Sequence, residues 1–95
     1  MGLFVYYSSF VAYYTYIIYS RSRDLYYKGS TSNFPKRLKY HNSEKNKDFT
    51  SSGRPWIEVL VIEKLSKNEA YLLEMKLKNL NRQRLEAFIK KYSPK

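Results

Sequence analysis

Cysteine is absent from this chain of 95 residues, and histidine occurs only once. Without cysteine there is no disulfide framework, no thiolate metal site and no cysteine nucleophile. The three glycines are scattered, so they do not form a glycine-rich phosphate loop. The single histidine, His41, has no obvious acidic partner nearby in the sequence, which argues against a Ser-His-Asp triad. We therefore expect neither thiol chemistry nor a small-molecule cofactor.

Acidic residues are scarce as well: eight of them stand against 18 lysines and arginines, and the formal net charge is +10. The eight form no tight pair, so the sequence does not indicate two-metal catalysis by an acidic cluster. A basic excess of this size favours polyanionic partners, nucleic acid before an anionic membrane surface. A basic surface that serves only solubility is the alternative that charge alone leaves open.

The first 20 residues contain no lysine, arginine, aspartate or glutamate. Residues 3–19 nevertheless make a poor signal peptide or membrane span, because no basic segment precedes them and six tyrosines interrupt them. We predict an N-terminal extension that leads into a buried strand, no membrane partner and a cytoplasmic location. A basic membrane-surface protein built around residues 1–20 is the alternative.

Patterning predicts one α+β domain with the order β-β-α-β-α-α. Residues 13–20 and 25–29 are rich in β-branched and aromatic types, and a polar turn joins them into a hairpin. The other predicted elements are a helix over 34–41, a loop over 42–54, a strand over 57–62, a helix from Ser66 and a helix over 82–91. The strands form a small three-stranded, mainly antiparallel sheet flanked by the helices. The domain spans 13–91, between an extension, 1–12, and a tail, 92–95.

One acidic residue, Glu74, lies at the edge of an apolar helical stripe. The stripe consists of residues at helical spacing, namely Ala70, Leu73, Leu77 and Leu80. A carboxylate at such an edge reaches solvent, pairs with Lys78 one turn on, or is bound to a metal. Position alone favours solvent or the pair with Lys78.

An ordered set of residues runs through the predicted elements. The tripeptides Tyr14-Thr15-Tyr16 and Tyr27-Lys28-Gly29 lie on the predicted hairpin. Arg37 and His41 follow on the first helix, and Glu74 lies on the second. This order and spacing resemble the signature of the GIY-YIG endonuclease superfamily over nearly the whole predicted domain.

Two further segments, Phe49-Thr50 and Gly53-Arg54-Pro55-Trp56, resemble the small single-domain bacterial branch that is similar to the nuclease domain of the excision-repair protein UvrC. The chain departs from the family pattern in both tripeptides, since Tyr14 and Thr15 replace Gly and Ile, and Lys28 replaces Ile. The small branch often varies at these positions, so the departures leave the expected GIY-YIG-like fold intact.

The resemblance implies a metal-dependent endonuclease that hydrolyses phosphodiester bonds in DNA, in repair or recombination. It implies a single Mg²⁺ or Mn²⁺ held by Glu74 and waters, and a phosphate-oxygen contact from Arg37. Tyr16 is implied as the general base or the water-positioning group, with Tyr27 beside it, and His41 as a participant in proton transfer or phosphate binding. Tyrosine ordinarily titrates at about pH 10, so a tyrosine base needs positive charge nearby.

Nucleic-acid contacts are implied at Gly29, which permits close approach of the backbone, and at the cations Lys28, Lys36 and Arg54. Ser30 stands where some family members have lysine, which leaves one phosphate contact open. A nucleic-acid-binding module of the same fold without catalysis is the alternative function. Whether the substrate is branched DNA, damaged DNA or RNA is not indicated by the sequence, and neither is the oligomeric state.

Each proposed site residue also has an ordinary structural interpretation. Tyr16 and Tyr27 are typical cross-strand packing residues of a hairpin. The alternative for Arg37 is a solvated cation, and the alternative for His41 is a residue that simply lies near a helix end.

The concentration of all 18 lysines and arginines in residues 21–95 leads us to expect DNA binding that depends strongly on salt and weakly on sequence. Each phosphate contact releases about 0.9 counterion from duplex DNA, so the logarithm of affinity falls linearly with the logarithm of salt concentration. Fluorescence anisotropy titrations at several salt concentrations measure this slope. An affinity that is independent of salt would contradict the electrostatic model.

Overall fold

The computed structural model describes residues 12–94. Its strands and helices are β1 (Tyr13–Ser20), β2 (Leu25–Thr31), α1 (Phe34–His41), a 3₁₀ helix (Phe49–Gly53), β3 (Trp56–Lys64), α2 (Lys67–Lys78) and α3 (Arg82–Tyr92). The predicted α+β class and the order β-β-α-β-α-α are confirmed. The predicted N-terminal extension, apart from residue 12, lies outside the described residues.

The sheet has the strand order β2-β1-β3, and both pairings are antiparallel. The first strand is therefore central, which explains its run of aromatic and β-branched residues. Tyr16 pairs with Gly29 on one side and with Val61 on the other. A register shift between Ile17 and Ile18 marks an irregularity against β3.

Helices cover both faces of this sheet, because alternate residues of β1 point to opposite sides. On the first face, Tyr16 and Ile18 pack with Phe34 of α1 and with Trp56. On the second face the core contains residues of β1, β3, α2 and α3, namely Ile17, Leu60, Leu77 and Leu85. Within residues 12–94, no helix is both long enough and apolar enough to cross a membrane.

Side-chain caps begin the three α-helices. Asn33, Ser66 and Asn81 each accept a hydrogen bond from a backbone N–H of the first turn, at 2.9–3.1 Å. The predicted capping box at Ser66 is half formed, because Glu69 accepts from the backbone N–H of Leu65 instead of that of Ser66.

The structure differs from the sequence prediction in the segment 42–54, which was expected to be a loop. Asp48 caps a short 3₁₀ helix there by accepting the backbone N–H of Thr50 at 2.8 Å. Two strands are also longer than predicted, since β2 continues to Thr31 and β3 continues to Lys64. Pairing with β1 holds both extensions, although their own residues lack a strong strand pattern.

Candidate active site

Three aromatic rings from three different elements meet on the α1 face of the sheet. They belong to Tyr16 of β1, Tyr27 of β2 and His41, the last residue of α1. The ring centroids lie 6.4 Å apart for Tyr16–Tyr27, 5.9 Å for Tyr16–His41 and 5.2 Å for Tyr27–His41. The fold therefore brings together three residues, of which the first and the last are 25 positions apart in the sequence.

Gly29 makes room for this arrangement, because it lies directly across the strand pair from Tyr16. A Cβ atom built on Gly29 would lie 2.5 Å from the Tyr16 hydroxyl oxygen and 2.7 Å from ring carbon Cζ. These distances are far inside van der Waals contact. The second tripeptide therefore needs its glycine so that the Tyr16 hydroxyl can pass over β2.

His41 is 2% exposed and lies between two hydroxyl groups. Its Nε2 is 2.9 Å from the Tyr16 Oη, and its Nδ1 is 2.9 Å from the Thr50 Oγ1. Arg37, one turn earlier on α1, is exposed. The two α1 residues of the predicted site thus differ in solvent contact, with the histidine beneath the 3₁₀ segment and the arginine on the surface.

A further group of polar side chains surrounds the histidine, and none of them is among the site residues predicted from the sequence. Thr50 Oγ1 donates to Asp48 Oδ1 at 2.6 Å, and Asn46 Nδ2 donates to Thr50 Oγ1 at 2.8 Å. In the sequence, Phe49-Thr50 contributes only to the family resemblance. The usable signal was Asp48 two residues before Thr50, a local capping pattern, seven residues beyond the single histidine.

Burial sets the charge states of the two site tyrosines. Desolvation raises the pKa of the Tyr16 hydroxyl above its ordinary value, and the neighbouring Tyr27 and Glu74 add to that effect. Arg37 lowers the pKa of Tyr16, but this contribution is outweighed by burial. Burial likewise raises the pKa of Tyr27. Both hydroxyls are therefore protonated at neutral pH, and Arg37 alone does not create a phenolate.

The Glu74 side chain on α2 is 12% exposed, and both of its oxygens have partners. Ser30 donates to Oε1 at 2.7 Å, and the Lys78 Nζ lies 2.7 Å from Oε2. The pair with Lys78, one of the sequence-based alternatives, is thus present. Ser30, which replaces a lysine of some family members, orients the carboxylate. The negative charge also acts on Tyr16 and Tyr27, raising the pKa of each.

A divalent ion would find one carboxylate here. Within residues 12–94 there is no group of three or more His, Cys, Asp or Glu side chains that could hold a metal. A lone carboxylate still fits Mg²⁺, because Mg²⁺ commonly keeps several waters and takes its other ligands from substrate phosphates. Glu74 is therefore a chemically adequate ligand when substrate and water complete the shell.

The predicted nucleic-acid contacts lie in different places. Lys36 and Arg37 line a groove of 460 Å³ at the start of α1, together with Thr31, Ser32, Asn33 and Tyr40. Lys28 is half-buried, and strand alternation directs it to the face of β2 opposite Tyr27 and Gly29. Arg54 is exposed, and its Nη1 donates to the carbonyl of Ser43, which closes the loop after α1.

Comparison with known proteins agrees with this architecture. Residues 12–92 match the family model described as the GIY-YIG catalytic domain. The chain is also similar to the solution NMR structure of UPF0213 protein BH0048 from Bacillus halodurans, with 28% identity, 85% coverage of each chain and a TM-score of 0.57. No curated protein matches the chain.

We expect the stability of the domain to fall as the pH drops below about 6.5, because burial lowers the pKa of His41 in the folded state. Asp48 opposes this shift and Arg37 adds to it. The unfolded chain then takes up the proton first, so the stabilisation present above the unfolded pKa is lost on acidification. Urea unfolding at about pH 7.5, 6.5 and 5.5 measures the effect.

The carboxylate of Asp48 does not confuse this measurement. Its pKa is lowered, chiefly by the hydrogen bond from Thr50, so its contribution to stability is lost only below its usual value of 3.8. A free energy of unfolding that rises between pH 6.5 and about 5.5 would contradict a neutral, buried histidine.

Proposed function

Because the chain belongs to the GIY-YIG catalytic-domain family, a family of nucleases, we propose that it is a metal-dependent endonuclease that hydrolyses phosphodiester bonds in DNA. The observation that carries the proposal is the buried Tyr16 hydroxyl, 2.9 Å from Nε2 of His41 and within electrostatic range of both Arg37 and Glu74. This combination offers proton transfer, phosphate binding and cation binding by groups within electrostatic range of one another.

In the proposed reaction a water molecule attacks phosphorus, and Tyr16 removes its proton. A protonated tyrosine accepts that proton only if it loses its own, and the Nε2 of His41 is placed to take it. The proton of water passes to the Tyr16 oxygen while the phenolic proton passes to His41. The new P–O bond forms as the bond to the leaving oxygen breaks, and solvent protonates that oxygen.

Arg37 contributes positive charge beside this proton path. Arg37 is exposed and lines the same groove as Lys36, so its guanidinium can donate to a non-bridging oxygen of a phosphate bound there. Charge on those oxygens grows as water adds, and a donor aimed at them stabilises the transition state more than the ground state.

Glu74 would hold the divalent ion. Nucleases of this family generally use divalent ions, and an ion bound here would polarise the phosphate and stabilise the leaving oxygen. Ser30 keeps Oε1 oriented, and Lys78 is the partner that ion binding at Oε2 must displace. We take Mg²⁺ or Mn²⁺ as the ion, because a carboxylate and waters form a hard-oxygen site.

We further propose DNA repair or recombination in the cytoplasm as the setting, with branched or damaged DNA as the substrate. A net charge of +10 supports a nucleic-acid partner but not one particular DNA structure. A nicking assay on branched, single-stranded and duplex DNA, with Mg²⁺, Mn²⁺ or EDTA, tests the function directly. DNA binding without cleavage under every condition would favour the non-catalytic binding module.

Replacing Tyr16 by phenylalanine should lower the nicking rate by about 100-fold or more, the usual contribution of a general acid or base. The ring that packs in the core is kept, so the protein should remain folded. Tyr19→Phe is the matched control, because that hydroxyl lies on the same strand and bonds to Asp24. Near-normal cleavage by Tyr16→Phe would assign the base role to another group.

Replacing Glu74 by glutamine should abolish metal-dependent nicking while DNA binding survives or tightens. Glutamine keeps the shape of the side chain but lacks the charge that a hard cation requires. Loss of the ion pair with partly exposed Lys78 should change the free energy of unfolding by only about 0–1 kcal/mol.

Glu86→Gln is the matched control for this substitution. Glu86 also forms an ion pair with a residue one turn away, Arg82, but on α3 and outside the proposed site. Nicking, DNA affinity and melting temperature are measured for both variants. Full nicking by Glu74→Gln would remove this residue from the active site.

A further inference from the structure

We propose that Thr50, with Asp48 and Asn46, is a positioning group that holds His41 in the tautomer protonated on Nδ1. The unprotonated Nε2 then faces the Tyr16 hydroxyl. The catalytic purpose of this arrangement rests on the proposed nuclease function, whereas the tautomer itself follows from the hydrogen-bond geometry alone. The inference gives the Phe49-Thr50 segment a chemical role.

The orientation of the Asn46 amide is the first step. Asn46 is 3% exposed, and its Oδ1 accepts the backbone N–H of Asp48 at 2.9 Å. The opposite end of the amide is therefore the NH₂ group. It donates to the carbonyl of His41 at 2.9 Å and to the Thr50 Oγ1 at 2.8 Å. A flipped amide would direct a donor at an N–H and an oxygen at a carbonyl.

The Thr50 hydroxyl can now be assigned completely. A hydroxyl has one proton to donate and two lone pairs with which to accept. Asn46 donates to one lone pair. The Thr50 hydroxyl donates its proton in a hydrogen bond of 2.6 Å to Asp48 Oδ1, which can only accept when the carboxylate is ionised. The remaining lone pair faces the Nδ1 of His41 at 2.9 Å, so this nitrogen must be the donor.

The protonation state of the other ring nitrogen, Nε2, follows from the assignment of the Thr50 hydroxyl. With the proton on Nδ1, a neutral His41 has a lone pair on Nε2, and the Tyr16 hydroxyl donates to it. The opposite tautomer would take the Thr50 proton for Nδ1. It would leave the Thr50 and Asp48 oxygens 2.6 Å apart with no proton between them, which is a repulsive contact.

The surrounding backbone keeps Thr50 in place for this task. Asp48 Oδ1 also accepts the backbone N–H of Thr50 at 2.8 Å, and Trp56 Nε1 donates to the Thr50 carbonyl at 2.7 Å. Gly53 permits that indole to approach, because a Cβ there would lie 2.5 Å from Trp56 Cζ2. Thr50 is 2% exposed, so water does not readily replace it as the partner of His41.

The same chain of contacts acts once the histidine takes a proton. When Nε2 receives the phenolic proton, the Nδ1–H of the imidazolium still donates to the Thr50 Oγ1. The Thr50 hydroxyl in turn still donates to Asp48. The carboxylate favours the charged ring, as its effect on the pKa of His41 indicates. Thr50 and Asp48 thus act through His41 and do not contact the substrate.

The single histidine of the chain makes the tautomer directly measurable. In protein labelled with ¹⁵N-histidine, two-bond ¹H–¹⁵N correlations at a pH above the His41 titration distinguish the protonated ring nitrogen from the other. We expect a protonated Nδ1 in the wild type. Thr50→Val removes the acceptor with little change of shape, and should shift the ring substantially towards the form protonated on Nε2.

Two variants serve as controls for Thr50→Val. Thr50→Ser keeps the hydroxyl and should retain the wild-type tautomer. Thr15→Val removes another buried threonine hydroxyl, one that donates to the Ala70 carbonyl at 2.8 Å on the other face of the sheet, and should leave the ring signals unchanged. A wild-type ring protonated on Nε2, or an unchanged tautomer in Thr50→Val, overturns the proposal.

If Thr50→Val does not fold, Asp48→Asn provides the test, because asparagine can still accept both Thr50 hydrogen bonds through its amide oxygen. Loss of the carboxylate should lower the pKa of His41. The same ¹⁵N signals, recorded across a pH series, measure that pKa. An unchanged pKa would contradict the participation of Asp48.

Activity measurements separate this inference from the proposed function. If the nuclease proposal is right, Thr50→Val should lower the nicking rate by roughly 100-fold with DNA affinity unchanged, and Thr50→Ser should restore it. A wild-type protein with the Nδ1 tautomer but no nicking refutes the nuclease function and leaves the positioning role standing. Normal nicking by a Thr50→Val protein of altered tautomer would show that Tyr16 does not depend on His41.

Discussion

The hydroxyl of Tyr16 lies on the central strand of the sheet, where burial makes an unpaired polar group costly by about 1–3 kcal/mol. It therefore requires a partner inside the protein, and His41 is that partner. The requirement extends outwards: Gly29 must lack a side chain, and the other nitrogen of His41 must itself be satisfied by Thr50. The same contact that satisfies the core is the one through which the proposed mechanism moves a proton from Tyr16 to His41.

Burial and charge work against each other at this tyrosine. Arg37 is close enough to lower the pKa of Tyr16, yet desolvation raises it further. The ordinary pKa of tyrosine led us to expect that nearby positive charge would make Tyr16 a base, but burial outweighs the charge of Arg37. A neutral tyrosine coupled to a neutral histidine needs no charge in the resting protein, which suits a site buried on a sheet.

The fold could be predicted from the sequence because local residue patterns specify its strands and helices. The aromatic and β-branched run of β1 and the cap at Ser66 each specify their element with nearby residues alone. The family motif also predicted Tyr16 and His41, which the structure brings together. The segment around Asp48 and Thr50 has no periodicity, and its role depends on a tertiary contact with His41. The 3₁₀ helix and its network were therefore missed.

The two halves of the candidate site differ in how easily their contacts exchange. The pairs from Tyr16 through His41 to Thr50 are buried, and breaking one leaves an orphaned polar group, so this half is held in one arrangement. The contact of Glu74 with Lys78 involves the ammonium of a side chain that is 44% exposed, and such pairs contribute only about 0–1 kcal/mol. Replacing that ammonium by the cation of the proposed mechanism would therefore cost little stability. For the proposed phosphodiester hydrolysis, the fixed half would carry the proton transfer and the exchangeable half would accept the cation.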